Sequence, residues 1–175
     1  MLHTIEHRFE VPAARLWQVF FFDDAFGDAL AEHLRLRVSE SELQHEGVGP
    51  TLLVRRRRSL TPTRVLPTPL DRLIGAQRTV TESGDFSAQQ RRYTVTLELP
   101  ALGSRVRCDG EFTWETLADG GLRRVWRGRC DARVPVLGPT IERYLLAEIA
   151  TNLSESHAFM CQWLREHAAK AATLL

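Results

Sequence analysis

One stretch near the C-terminal end, from Val134 to Leu164, dictates most of what the rest of the chain must do. It reads VPVLGPTIERYLLAEIATNLSESHAFMCQWL. A strand ends at Val134-Pro135, Gly138-Pro139 turns the chain, and one long helix follows, with Pro139 suited to a first helical position where its missing N–H costs nothing. At helical spacing Ile141, Leu145, Ile149, Leu153, Met160, Trp163 and Leu164 form an apolar stripe, opposite Arg143, Glu155, Gln162, Arg165 and Glu166. A helix of roughly 25 residues spans about 38 Å. It needs a broad surface to lie on. Two polar residues, Asn152 and Ser156, interrupt the stripe near its middle, where a plain core helix would carry Leu or Ala.

The remainder of the chain supplies such a surface. Residues from Leu2 to Val11 alternate as a first strand, with Ile5, His7 and Phe9 on one face. Pro12 opens a helix carrying Leu16, Trp17, Val19 and Phe20, and Asp23-Asp24 can cap a second, with Phe26, Ala29, Leu30, His33 and Leu34. From Leu36 the period becomes two. One strand ends near Gly47, Gly49-Pro50 turns the chain, and Thr51 to Leu60 returns. The run Arg55 to Arg58 lies in that return strand, so alternation sends two arginines to each face; a solvated strand and an anion site at one end both remain open. Thr61 to Pro69 reads as a loop, and Thr68 and Pro69 start a short helix ended by Gly75, with Leu70, Leu73 and Ile74 as its apolar side. Arg78 to Ser83 reads as a strand turned at Gly84-Asp85.

The last three strands carry the clearest alternation. Tyr93, Val95, Leu97 and Leu99 share a face, and Pro100 to Gly103 forms a loop. Val106, Cys108, Gly110, Phe112 and Trp114 then alternate with charged residues, as do Trp126, Gly128, Cys130, Ala132 and Val134 after the turn signal Asp119-Gly120-Gly121. A three-residue turn there sets Trp114 opposite Trp126 and Glu111 opposite Arg129, so that apolar meets apolar and acid meets base. Gly110 and Gly128 on the inner face suggest a strongly curved sheet whose concave side is left hollow.

The chain of 175 residues is long enough for one domain with a real core, and the domain is expected to span 1–175. The net charge of +1 argues against nucleic acid as the partner. Arginine supplies nearly all the basic charge, Lys170 being the sole lysine, which we read as the coding bias of a GC-rich genome. Three cysteines without CxxC spacing argue against both a disulfide scaffold and a zinc site. Cys108 and Cys130 fall as diagonal neighbours on the inner face and are expected to be free buried thiols. The start MLHTIEHRFE is not a signal peptide, and no apolar run is long enough to span a bilayer, so a cytoplasmic location is expected, with transient membrane contact left open.

Strand, two short helices, hairpin-linked strands and a long final helix resemble the START-like superfamily, also called SRPBCC or helix-grip. More narrowly, the chain resembles a bacterial family within it. The residues that carry the likeness are Val134-Pro135, Gly138, Glu142 and Trp163-Leu164, together with Leu66-Pro67 and Leu73-Ile74-Gly75. The resemblance implies an α+β fold with a curved antiparallel sheet of six to seven strands gripping the long helix, and a hydrophobic ligand cavity between them. It does not imply a reaction.

For the cavity lining the expected residues are Phe26, Leu73, Tyr93, Phe112, Trp114 and Trp126, with Leu145, Ile149, Asn152, Leu153 and Ser156 from the helix. Each aromatic has plain core as its alternative role. Asn152 and Ser156 suit the few polar groups that orient a ligand in an apolar pocket, with a bond to backbone or buried water as the alternative. Glu142 suits the helix dipole, or else an ion pair to Arg56, Arg58 or Arg91. His7 and His157 read as structural. No triad order, nucleophile elbow, phosphate loop or metal-ligand cluster is present, so no catalytic residue, metal or cofactor is assigned. The expected role is binding or carriage of a lipid- or polyketide-like small molecule. A cyclase- or hydratase-type enzyme using the same cavity and a chaperone-cofactor-like interaction module are the alternatives; oligomeric state is left open.

Overall fold

The computed structural model describes residues 2–63, 71–72 and 74–168. The short helix expected around Thr68, Pro69 and Leu70, the Leu66-Pro67 pair and Leu73 lie outside the described residues. In chain order the elements are β1 (His3–Phe9), α1 (Ala13–Phe22), α2 (Asp24–His33), β2 (Leu36–Glu46), β3 (Leu53–Pro62), β4 (Val80–Ser87), β5 (Arg92–Glu98), β6 (Val106–Thr116), β7 (Leu122–Ala132) and α3 (Gly138–Glu166). The seven strands form one antiparallel sheet in the order β1-β7-β6-β5-β4-β3-β2. This is the α+β helix-grip architecture, with two short helices after the first strand and the long helix laid across the sheet.

Local chemistry explains the short helices. Pro12 stands at the N-cap of α1, and the Asp23 carboxylate accepts the Phe26 N–H at 3.1 Å, capping α2. Leu16, Trp17, Val19 and Phe21 bury one side of α1. Trp17 is the hub of an aromatic cluster: its ring centroid lies 4.9 Å from Trp114, 5.1 Å from Phe86 and 5.8 Å from Tyr93.

The structure corrects three strand details. β4 continues through Gly84-Asp85 to Ser87, and the turn falls at residues 88–91, where Arg91 takes φ 49°. A Cβ on Gly84 would collide with the Tyr93 ring, so the glycine makes room for a large neighbour on β5 rather than for a bend. The β6–β7 loop has five residues, because Thr116 pairs with Leu122. It is closed by the Leu117 N–H donating to the Gly121 carbonyl at 2.8 Å. Trp126 therefore faces Phe112, Trp114 faces Arg124, and Glu111 faces Arg127. The register differs from the expected one by two residues, which returns every side chain to its original face.

That register also sets Cys108 directly opposite Cys130, with Cα atoms 4.0 Å apart, and the two form a disulfide. The expectation of free thiols placed diagonally is corrected; Cys161 is the free cysteine. The joint between β7 and α3 is equally specific. Val136 takes φ 65° in a tight turn in which the Leu137 N–H donates to the Pro135 carbonyl at 2.7 Å. A Cβ on Gly138 would collide with the Ala132 carbonyl, and Glu142 Oε1 accepts the Ala132 N–H at 3.0 Å. Glu142 thus lies beyond the first helical turn and pairs with no arginine among the described residues. It ties the helix to the last residue of the sheet, and the Gly138-to-Glu142 spacing is the spacing of that joint.

Candidate functional site

Along α3 the buried residues cluster at two ends, Ile141 and Leu146 in the first half and Met160 and Leu164 in the last turns. Between them Ile149, Asn152, Leu153 and Ser156 are only half-buried, as is Leu145 beside Leu146. They face a cavity of about 260 Å³ between the helix and the concave side of the sheet. A single water needs only about 10–15 Å³ of such space, so the void is far larger than a packing defect and close to the lower end of small-molecule sites.

Tyr93, Phe112 and Trp126 line the cavity from the sheet. Trp114 and Phe26 do not lie on its wall. Trp114 stacks on Phe86 at 5.4 Å within the Trp17 cluster, and Phe26 packs edge-on against Trp163 at 5.7 Å. The glycine pair Gly110 and Gly128 faces itself across β6 and β7. The indole of Trp126 lies so close over both that a Cβ on either would collide with it. The glycines are therefore partly roofed by a ring, while Gly110 together with Trp126 still lines the space on the concave side.

Beyond Asn152 and Ser156 the wall carries a buried charge cluster, of which the sequence offered only Arg56 and Arg58, as possible partners of Glu142. Alternation turns Arg55 and Arg57 out and brings Arg56 and Arg58 in. Arg56 is 6% exposed. Its guanidinium donates to Glu82 Oε1 at 3.1 Å and to the Tyr93 hydroxyl at 3.2 Å, and lies 4.4 Å from the Phe20 ring centre. Arg58 donates to both carboxylate oxygens of Glu82, at 3.1 and 3.0 Å. Burial alone would raise the Glu82 carboxyl, but the charge of Arg58, then that of Arg56, and the hydrogen bonds of both hold it down to about 2. Burial raises the Tyr93 phenol, which stays neutral and accepts from Arg56. Glu82 is a locked counter-ion, not a group poised to exchange protons near neutral pH.

A second inward arginine, Arg124, is 5% exposed and sits directly opposite His7 across β7 and β1. Its guanidinium carbon lies 4.8 Å from the Phe9 ring centre and 5.0 Å from that of Phe112. Nη2 is 3.5 Å from His7 Nδ1. Burial lowers Arg124 to about 10, which leaves it charged at neutral pH. Burial first, then Arg124 and His157, lower His7 to about 4, so that ring is neutral. His7 stacks on His157 at 4.4 Å, and His157 Nε2 lies 2.7 Å from the Arg8 carbonyl oxygen, so both histidines brace β1 against α3.

One signal would have found Arg124. It shares parity along β7 with Trp126, Gly128 and Cys130, so the same alternation that turned them inward applies to it. Glu82 shares parity with Gly84 and Phe86, and its place opposite Arg58 needed the β3–β4 register. Among the described residues no group of three or more His, Cys, Asp or Glu could hold a metal ion, and no helix is long and apolar enough to cross a membrane.

Comparison with known proteins adds the following. Residues 4–164 match the model of a family described as "Protein of unknown function (DUF2505)". No curated protein sequence matches the chain. Among solved structures, TTHA0849 from Thermus thermophilus is similar with a TM-score of 0.59 at 13% identity, over 97% of this chain and 100% of that one. Ara h 8.0201 is similar with a TM-score of 0.53 at 11% identity, over 93% of this chain and 99% of that one. At these identities the likeness is one of fold.

Proposed function

The chain belongs to the DUF2505 family, and we propose that it binds or carries a hydrophobic or amphipathic small molecule, lipid- or polyketide-like, in the cavity beneath α3. The observation that carries this reading is the break in burial along the helix. A helix built only to cover a sheet would bury its stripe continuously, whereas here the middle of the stripe opens on a space of about 260 Å³. Tyr93, Phe112, Trp126, Leu145, Ile149 and Leu153 supply the apolar wall, and Tyr144, Glu148, Asn152 and Ser156 are polar residues of the helix that also line it. We place the chain in the START-like superfamily as one domain.

Carriage is favoured over turnover by the state of the buried acid. Glu82 is held by two arginines far below neutral, Tyr93 is held above its ordinary value, and neither exchanges a proton readily near pH 7. The test is native mass spectrometry of the protein purified from its own host, followed by solvent extraction and identification of what it carries. An adduct of one small apolar molecule per chain is expected. A chain that carries nothing, and that also fails to take up the neutral fluorophore N-phenyl-1-naphthylamine, sinks the reading.

A further inference from the structure

We propose that Arg124 is the anchor for an anionic group on the cavity's occupant, which makes that occupant an apolar organic acid with its carboxylate at the Arg124 end. The proposal rests on the small-molecule reading above and names the ligand class for that cavity. Two arginines in the wall are almost fully buried, and they are treated differently. Arg56 has Glu82 as counter-ion at 3.1 Å. Arg124 has none: among the described residues no carboxylate comes within ion-pair distance of it. Among the described residues its one hydrogen-bond contact is His7 Nδ1 at 3.5 Å, the limit of a hydrogen bond, and its Nε has no partner. A buried unpaired charge costs several kcal/mol even after relaxation. The rings of Phe9 and Phe112 offset part of that, and a carboxylate in the cavity would complete the pairing, for which a planar guanidinium is well shaped.

Two further observations point the same way. The buried polar atoms left without a partner on cavity-lining residues are Trp17 Nε1, Arg56 Nε and Arg124 Nε. All three are donors. The wall also carries the carboxylates of Glu82, Asp109 and Glu148, but the lining atoms left without a partner among the described residues are donors, which an anion satisfies and a hydrocarbon does not. The Arg124 end is also near the helix's polar residue. His7 is stacked on His157, and Ser156, its neighbour in the chain, lines the cavity.

The test is competition for the cavity with N-phenyl-1-naphthylamine as the neutral reporter. Octanoate and methyl octanoate are the competitors, in the wild type and in Arg124→Met and Arg124→Lys. The ester is the more apolar of the two, so a merely apolar cavity prefers it. Octanoate is expected to displace the reporter from the wild type at tenfold lower concentration than the ester. Arg124→Met should reverse that preference, and Arg124→Lys should keep part of it. Equal or better displacement by the ester from the wild type overturns the proposal, whether or not Arg124→Met folds. So does an octanoate preference that survives in Arg124→Met. Failure of the wild type to take up the reporter, with no displacement by either competitor, is a different result and overturns the cavity reading as well.

Discussion

Glu142 accepts the backbone N–H of Ala132 at 3.0 Å, joining the start of the long helix to the last residue of the sheet. The bond takes up a strand-end donor that the helix would otherwise cover. Removing the acceptor in Glu142→Ala should cost about 1–3 kcal/mol, read as a lower urea midpoint with an unchanged slope. Glu142→Gln keeps a carbonyl oxygen at the same reach and should recover most of the loss. Equal losses in the two variants would show that the bond is not what holds the joint.

Glu82 is the shared counter-ion of Arg56 and Arg58. Neutralising it in Glu82→Gln leaves two inward guanidiniums without their carboxylate and should cost about 3–5 kcal/mol. The pH dependence has a definite sign. The carboxyl titrates near 4.5 when free and near 2 in the fold, so its stabilisation is complete above about 4.5 and is lost as pH falls toward 2. A Glu82→Gln protein should therefore show a shallower acid-unfolding profile in that window.

His7 gives a second, separate window. Its ring titrates near 6.5 when free and near 4 in the fold, where burial, Arg124 and His157 oppose its charge. The unfolded chain binds the proton more readily, so stability should fall as pH drops from about 6.5 to about 4, and level off below. His7→Gln should flatten that segment of a denaturation-versus-pH curve and leave the Glu82 segment in place.

Gly128→Ala places a methyl where the indole of Trp126 lies. The ring must move, and we expect a loss of about 1–3 kcal/mol, typical of overpacking, with a shift in tryptophan emission. An alanine protein as stable as the wild type, with unchanged emission, would mean that the ring does not rest there.

Ile149 lies in the middle of the helix and on the cavity wall. Ile149→Trp should fill the space, hold stability within about 1.5 kcal/mol and weaken N-phenyl-1-naphthylamine binding at least tenfold. Undiminished binding in a folded variant would place the reporter elsewhere.

Much of the architecture was legible because alternation and helical spacing report which face a residue takes. Ile141, Met160 and Leu164 fall on the apolar stripe by spacing alone, and all three are buried. What spacing does not report is which residue stands opposite which. In the β6–β7 hairpin a shift of two residues preserves every face and still sets acid against base, with Asp109 opposite Arg129 and Arg107 opposite Asp131. Nothing local to the sequence separates the two registers. The loop length decided it, and with it the pairing of Cys108 with Cys130. The glycines pointed to an open concave face, which the cavity matches, but not to what lies over them. Their missing side chains were visible, but the ring that covers them comes from Trp126, whose lean along its strand has no sequence signature. Arg124 was within reach of the argument used for Trp126, whereas the isolation of its charge depends on what β1 and α3 bring beside it.

The long helix is fastened at both ends. Glu142 and Gly138 hold the first turns to Ala132. At the other end Trp163 donates to Asp23 at 3.3 Å, and Arg15 donates to the His167 carbonyl at 2.7 Å. The span between these supports behaves as a beam resting on two piers, with open space beneath its centre. Load-carrying and selectivity are thereby assigned to different residues of one element. Changes near the piers alter whether the chain folds, while changes at mid-span alter what shape of molecule fits below, so the two properties can vary independently.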